Sequence, residues 1–402
     1  MAPYMRAPVP LLGVAVLSSF LMTMQTPMKE IVTAGPAPVG PYSPAIKAGG
    51  LIYVSGTLAQ DASGAIAGKG DVAAQTTRVV ERLRDVLAAA GSSLDHVVST
   101  TVFLKSQSDF AAMNDAYRRF WTANPPVRTT VVSDLVLADA LVEMSMIAVP
   151  KGAERKVIHP ASWVKSPNPY SYAIRTGDTL FIAGLVSRNG RDNSVVPGDV
   201  TAQTTTVLEN AGELLKAAGM SYANVVSAKV NLPDVAGFQE MNAVYRKYFG
   251  EAPPARATVK AGLAGPQYNV EITLVASAAE KQVVADGRPV NPNLSAAIRA
   301  GSRVYLSGML GNLPGNTGDA AAQTRETLDR IKTALAAAGA SPADVVDATV
   351  YLTALDKFAA MNDVYRGFFG RDFPARTTIG SGLVAPDGLV EIMVTAERPP
   401  RQ

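Results

Sequence analysis

Apolar positions along the chain change period in a fixed order. In the first stretch, residues 45–47 and 51–55 (LIYVS) read as short strands joined by a Gly49-Gly50 turn. Val72, Thr76, Val79, Val80, Leu83, Val86 and Leu87 then fall at helical spacing, with Asp71 placed to cap the helix and Gly91 to end it. Residues 96–104 (HVVSTTVFL) return to a β-branched, strand-like run. A second helix opens at Asp109 and continues through Phe110, Met113, Tyr117 and Phe120, and two strands close the stretch at 127–132 and 141–149. The predicted order is β-β-β-α-β-α-β-β, an α+β unit with one sheet and both helices on one face.

The same order is written three times. Ala74-Gln75-Thr76 recurs as Ala202-Gln203-Thr204 and Ala322-Gln323-Thr324, and Met113-Asn114 recurs as Met241-Asn242 and Met361-Asn362. Internal repetition of this kind predicts three units, 28–152, 153–279 and 280–402. Each would leave one sheet face bare. The joint between the first two is only about five residues, a reach of under ~20 Å, so neighbouring units must touch. Three touching copies predict closure into an intramolecular pseudo-trimer.

Arg128, Arg256 and Arg376 are each followed fifteen residues later by a glutamate: Glu143, Glu271 and Glu391. The arginines stand at a strand start, where a guanidinium fork suits a carboxylate. The glutamates stand mid-strand among apolar residues, where burial raises a carboxyl toward general-base territory. If the last two strands of a unit pair, Arg and Glu share one cleft. The competing reading is a buried ion pair that only sets strand register.

Composition narrows the chemistry. Of 402 residues 48% are hydrophobic and 18% charged, as in a folded globular chain, and the net charge of +3 gives nucleic-acid binding no support. There is no cysteine, and the two histidines, His96 and His159, occupy non-equivalent positions. A thiolate site, or a His-based triad or metal site repeated in all three units, is therefore excluded. Residues 1–27 contain the apolar run 11–22 after Arg6, without an A-x-A-like cleavage site. Two expectations follow: a signal peptide and an exported protein, or an over-extended start with the natural one at Met28 and a cytoplasmic protein. The apolar run is too short to span a membrane comfortably.

The ordered motifs resemble the RidA (YjgF/YER057c/UK114) family of imine and enamine deaminases. They are Gly40-Pro41-Tyr42, Ser55-Gly56, Asn114 after Met113, Pro126-Val127-Arg128-Thr129-Thr130, and Glu143 in an apolar terminal strand. The resemblance spans essentially residues 28–398. It implies a chorismate-mutase-like fold with active sites in clefts between neighbouring units, and no cofactor or metal. It also implies that Arg128, Arg256 and Arg376 hold the carboxylate of a 2-imino acid while Glu143, Glu271 and Glu391 activate water. Tyr42 and Tyr170 match a tyrosine bordering the site. Ser55, Gly56, Gly184 and Gly308 match residues lining it, as do Thr130, Thr258 and Thr378. Asn114, Asn242 and Asn362 match an asparagine supplied across the interface. The expected partner is a small imino or enamino acid, with neither nucleic acid nor a stable membrane span, for a chain acting as a monomeric pseudo-trimer.

The copies differ. The first carries every element, the second has Ala183 in place of the serine, and the third has Leu294 where the tyrosine falls. The Arg128/Glu143 pair is therefore ranked first. Competing functions are a carboxylate-binding module without turnover, an endoribonuclease-like translation inhibitor, and chorismate mutase chemistry.

Overall fold

The computed structural model describes residue 1, residues 29–35 and residues 38–398. The predicted signal segment lies outside them, apart from the first residue. The described residues form three sheets, each carrying two helices: α1 (Val72–Ala89) and α2 (Phe110–Arg118), α3 (Val200–Ala217) and α4 (Phe238–Phe249), α5 (Ala320–Ala337) and α6 (Phe358–Phe369). In the first unit the strand order across the sheet is Glu30–Val32, Ala45–Ala48, Leu51–Leu58, Val142–Ala148, Val97–Leu104 and Val127–Val132. All neighbours are antiparallel except the last pair, which is parallel across α2.

Local chemistry explains the helix boundaries. The Asp71 carboxylate accepts from the Ala74 N–H at 2.9 Å, and Asp199 and Asp319 do the same in the other units. Gly91, Gly219 and Gly339 follow the helix ends at φ of +77°, +71° and +73°, where a side chain would be strained. The predicted strand at 96–104 starts one residue later, because His96 closes a short 3-10 turn.

The buried glutamine of the repeated Ala-Gln-Thr ties helix to sheet. Gln75 donates to Asp139 O at 2.9 Å and accepts from Leu141 N at 2.8 Å, fixing the loop two residues ahead of Glu143. Gln203 and Gln323 hold the matching loops ahead of Glu271 and Glu391.

One face of each sheet packs against its own helices, through clusters such as Leu83, Leu87, Val102 and Met144. The other face is covered by the sister sheets. Phe103 and Val131 of the first unit share a cluster with Val259 and Tyr268 of the second and Tyr351 and Ile379 of the third.

Three backbone joints close the contacts into a ring. Val132 bridges Gly262, Val259 pairs with Leu383, and Ile379 pairs with Leu135. Three hydroxyl clasps repeat the pattern. Ser43 Oγ donates to Phe373 O, Ser171 Oγ to Pro125 O and Ser295 Oγ to Pro253 O, at 2.5–2.6 Å. A cation at the start of each unit adds a third fastening: Lys29 on Val345 O and Asp372 O, Arg155 on Val97 O and Asn124 O, and Lys281 on Ala252 O.

Candidate active site

The fold separates the residues that the fifteen-residue spacing had joined. The strand Val97–Leu104 lies between the two closing strands, so Arg128 sits opposite Thr100 and Glu143 opposite Phe103. The closing strands do not pair, and Arg128 does not share a cleft with Glu143. Each arginine instead crosses a joint to the carboxyl of a different unit. The charges that act on Glu143, Glu271 and Glu391 are those of Arg376, Arg128 and Arg256 respectively. The three clefts are thus Glu143/Arg376, Glu271/Arg128 and Glu391/Arg256, and the ranking of an Arg128/Glu143 site falls with the pairing.

Each glutamate is placed by a neighbouring strand that bulges. In the first unit the register of Leu51–Leu58 against Val142–Ala148 shifts between Val54 and Thr57, bringing Gly56 against Glu143. A β-carbon built on Gly56 would fall on Glu143 Oε1, and one on Gly184 or Gly308 would fall on Glu271 or Glu391 Oε1. Glycine is required there because the carboxylate already fills the space. Ala183-Gly184 also lies in a register shift, and Ser307-Gly308 interrupts the third unit's strand between Leu306 and Met309.

The arginine is placed by its own unit's second helix. Phe110, Asn114 and Tyr117 recur at i, i+4 and i+7 and therefore share one helix face. The Arg128 guanidinium lies 5.0 Å from the Tyr117 ring and 6.0 Å from the Phe110 ring, and Nη2 donates to Asn114 Oδ1 at 2.6 Å. Arg256 rests likewise on Tyr245 and Phe238 with Asn242 at 2.7 Å, and Arg376 on Tyr365 and Phe358. In the first two units the asparagine thus comes from the arginine's own unit, and across the joint only as seen from the glutamate, whereas buried Asn362 Oδ1 has no hydrogen-bond partner among the described residues. The tyrosine and phenylalanine of this cage were read from the sequence only as helix apolar positions. Their shared face with the asparagine was the signal that could have revealed them.

The remaining predicted residues fall as follows. Tyr42 covers Arg376 at 5.6 Å and Tyr170 covers Arg128 at 5.8 Å, each from the unit that supplies the glutamate. The Ser55 hydroxyl donates to Ser43 O at 2.6 Å and accepts from Arg376 N at 2.9 Å, so it fixes the arginine's backbone. Ser307 does the same for Arg256, whereas Ala183 has no hydroxyl to give Arg128. His96 and His159 bond to Ser93 and to Trp163 O, and neither joins a cleft.

Electrostatics are alike in the three clefts. Burial pushes each glutamate up to about 8, and the arginine across the joint only partly offsets it. The arginines, 2–4% exposed, are shifted down by the same loss of water. Among the described residues no nitrogen of these arginines lies within ion-pair distance of a carboxylate. In every cleft the same three buried atoms lack a protein partner: Arg Nη1, Glu Oε2, and the hydroxyl of Thr130, Thr258 or Thr378. A register-setting Arg–Glu ion pair would have satisfied the first two. No group of three His, Cys, Asp or Glu side chains among the described residues could hold a metal ion, and no helix there is long and apolar enough to cross a membrane.

The sequence profile of the family described as endoribonuclease L-PSP matches this chain at residues 32–150, 162–278 and 288–398. The chain is a three-repeat member of the RidA family. Similar relatives include a RutC family protein of Pyrococcus abyssi, 41% identical over 30% of this chain and 96% of its own length. The 3-aminoacrylate deaminase RutC of Acinetobacter baylyi is 38% identical over 30% of this chain and 97% of its own length. Among solved structures, a member of the YjgF/YER057c/UK114 family from Mycobacterium tuberculosis is 34% identical, covering 29% of this chain and 99% of its own at a TM-score of 0.27. Each relative is one unit long, and this RidA chain repeats that unit.

Proposed function

We propose that this RidA chain hydrolyses reactive 2-imino acids and their enamine tautomers to 2-oxo acids and ammonia without a cofactor, acting as a monomeric pseudo-trimer. The observation that carries the reading is the recurrent set of three unpaired buried atoms. Arg Nη1 and the threonine hydroxyl are spare donors for a substrate carboxylate, and Glu Oε2 is a spare acceptor for water. The substrate would lie between them, across a joint. The carboxylate form of the glutamate takes a proton as water adds to the carbon of the protonated imine, giving a carbinolamine. The protonated form passes that proton to nitrogen, and the C–N bond breaks as the hydroxyl proton returns to the carboxylate, leaving the 2-oxo acid and ammonia. A carboxyl balanced near pH 8 suits both halves of that cycle. The imine carbon is already electrophilic, so orientation and one acid/base group suffice.

The test is to generate imino acids in situ with an amino-acid oxidase and follow their decay. The protein should accelerate decay, and the Arg128→Ala/Arg256→Ala/Arg376→Ala variant should not. Equal decay with both proteins, across several imines, would sink the reading.

A further inference from the structure

Beside the Glu143/Arg376 cleft lies a second cavity of about 120 Å³. Tyr42, Gly56 and Gln60 line both spaces, so the two adjoin. The far wall of the second is α1, which presents Arg78 and Arg82. Gln60 and the bulged strand hold these side chains in place. Arg78 Nε donates to Gln60 O at 3.2 Å, while Arg82 Nη1 donates to Leu58 O at 2.5 Å and to Gln60 Oε1 at 3.1 Å. Both are half-buried, and among the described residues no carboxylate pairs with either. Asp85 at the rim is 70% exposed and lies nearest Arg84. Two guanidinium groups are thus held side by side with donors left over, facing a space that adjoins the cleft of the Glu143 carboxyl.

The other units lack this arrangement. Counting from the shared glutamine, the second unit has Thr206 and Asn210, and Asn210 caps Arg188 O at 2.6 Å. Arg188 replaces Gln60 there, but it donates to Asn193 O and lies over the Tyr268 ring at 5.5 Å. The third unit has Glu326 and Arg330, paired to each other at 2.7 Å.

We propose that the Glu143/Arg376 cleft selects 2-imino acids bearing a second anionic group, a 2-imino dicarboxylate being the simplest, with Arg376 on the first carboxylate and Arg78 and Arg82 on the distal one. This rests on the deaminase reading. It makes Arg78 and Arg82 specificity residues of one cleft, whose preference then differs from that of the other two.

The test begins with a Glu271→Gln/Glu391→Gln parent, which leaves only this cleft's glutamate. The kcat/KM ratio for a dicarboxylic over a monocarboxylic imine, each made in situ by an oxidase, is compared with that of the same protein carrying Arg78→Thr and Arg82→Asn. These are the second unit's residues, and Asn210 already makes a backbone bond there. The ratio should fall about tenfold or more, the worth of one charge-assisted contact. A parent without preference, or a ratio unmoved by the substitutions, overturns the proposal. If the unsubstituted chain hydrolyses neither imine, the deaminase reading fails and calorimetry on the same two proteins decides the cavity. Tighter binding of a 2-oxo dicarboxylate than of a 2-oxo monocarboxylate, lost with Arg78→Thr/Arg82→Asn, supports the anion site, and equal binding overturns it.

Discussion

Gly56 is held to a hydrogen side chain by a carboxylate rather than by backbone torsion, since its φ is not positive. Gly56→Ala should therefore push Glu143 out of position and silence one cleft while leaving the other two. A drop of about one third or more in total imine turnover, with an unchanged circular dichroism spectrum, is the expected result. The glutamates also set pH behaviour. Their folded values near 8 exceed the ordinary 4.5, so the folded chain binds protons that the unfolded chain releases. That stabilisation is full below pH ~4.5 and is lost as pH rises through about 8. Denaturant midpoints should fall from pH 5 to pH 9, less steeply in a Glu143→Gln/Glu271→Gln/Glu391→Gln variant. At this scale the sequence named the charged groups but not their pairing. Spacing along one strand pair reports what a unit contains, and a cleft between units has no sequence distance to read. The aromatic cage was hidden for another reason: Phe110 and Tyr117 satisfy the apolar helix pattern whether or not a guanidinium lies over them.

The elements were the most legible level. Asp caps, terminal glycines and the switch from helical to β-branched runs are local signals, and they placed the paired helices and most long strands to within a residue or two. The intervening strand Val97–Leu104 was also visible, but its central position depends on the crossover through α2, which periodicity does not encode. The repeated glutamine was visible only as a motif, and its work is now physical. Replacing Gln75 by Leu removes one donor and one acceptor from buried backbone partners, at a cost of about 1–3 kcal/mol. Because Leu141 is two residues from Glu143, a lower melting temperature should come with a lower kcat in the Glu143/Arg376 cleft, measured in the Glu271→Gln/Glu391→Gln background. Lost stability with that kcat intact would show that the strap does not position the glutamate.

Across the whole molecule, cross-unit pairing makes a sharp prediction about combining substitutions. Glu143→Gln with Arg376→Ala damages one cleft and should cost no more than either alone. Glu143→Gln with Arg128→Ala damages two clefts and should cost the sum. Steady-state turnover of a single imine by the three single and two double variants separates these outcomes, and the reverse pattern would restore pairing within a unit. Ring closure also has a consequence in time. The Glu143 cleft and the open face of the first sheet are completed by residues 375–383, more than 230 residues further along the chain. At about 5–20 residues per second of synthesis, that is a wait of roughly 10–50 s. For that interval the nascent first unit carries an unfinished apolar surface on the ribosome. Carrying the three units in one chain fixes their stoichiometry and ties their assembly to the pace of translation.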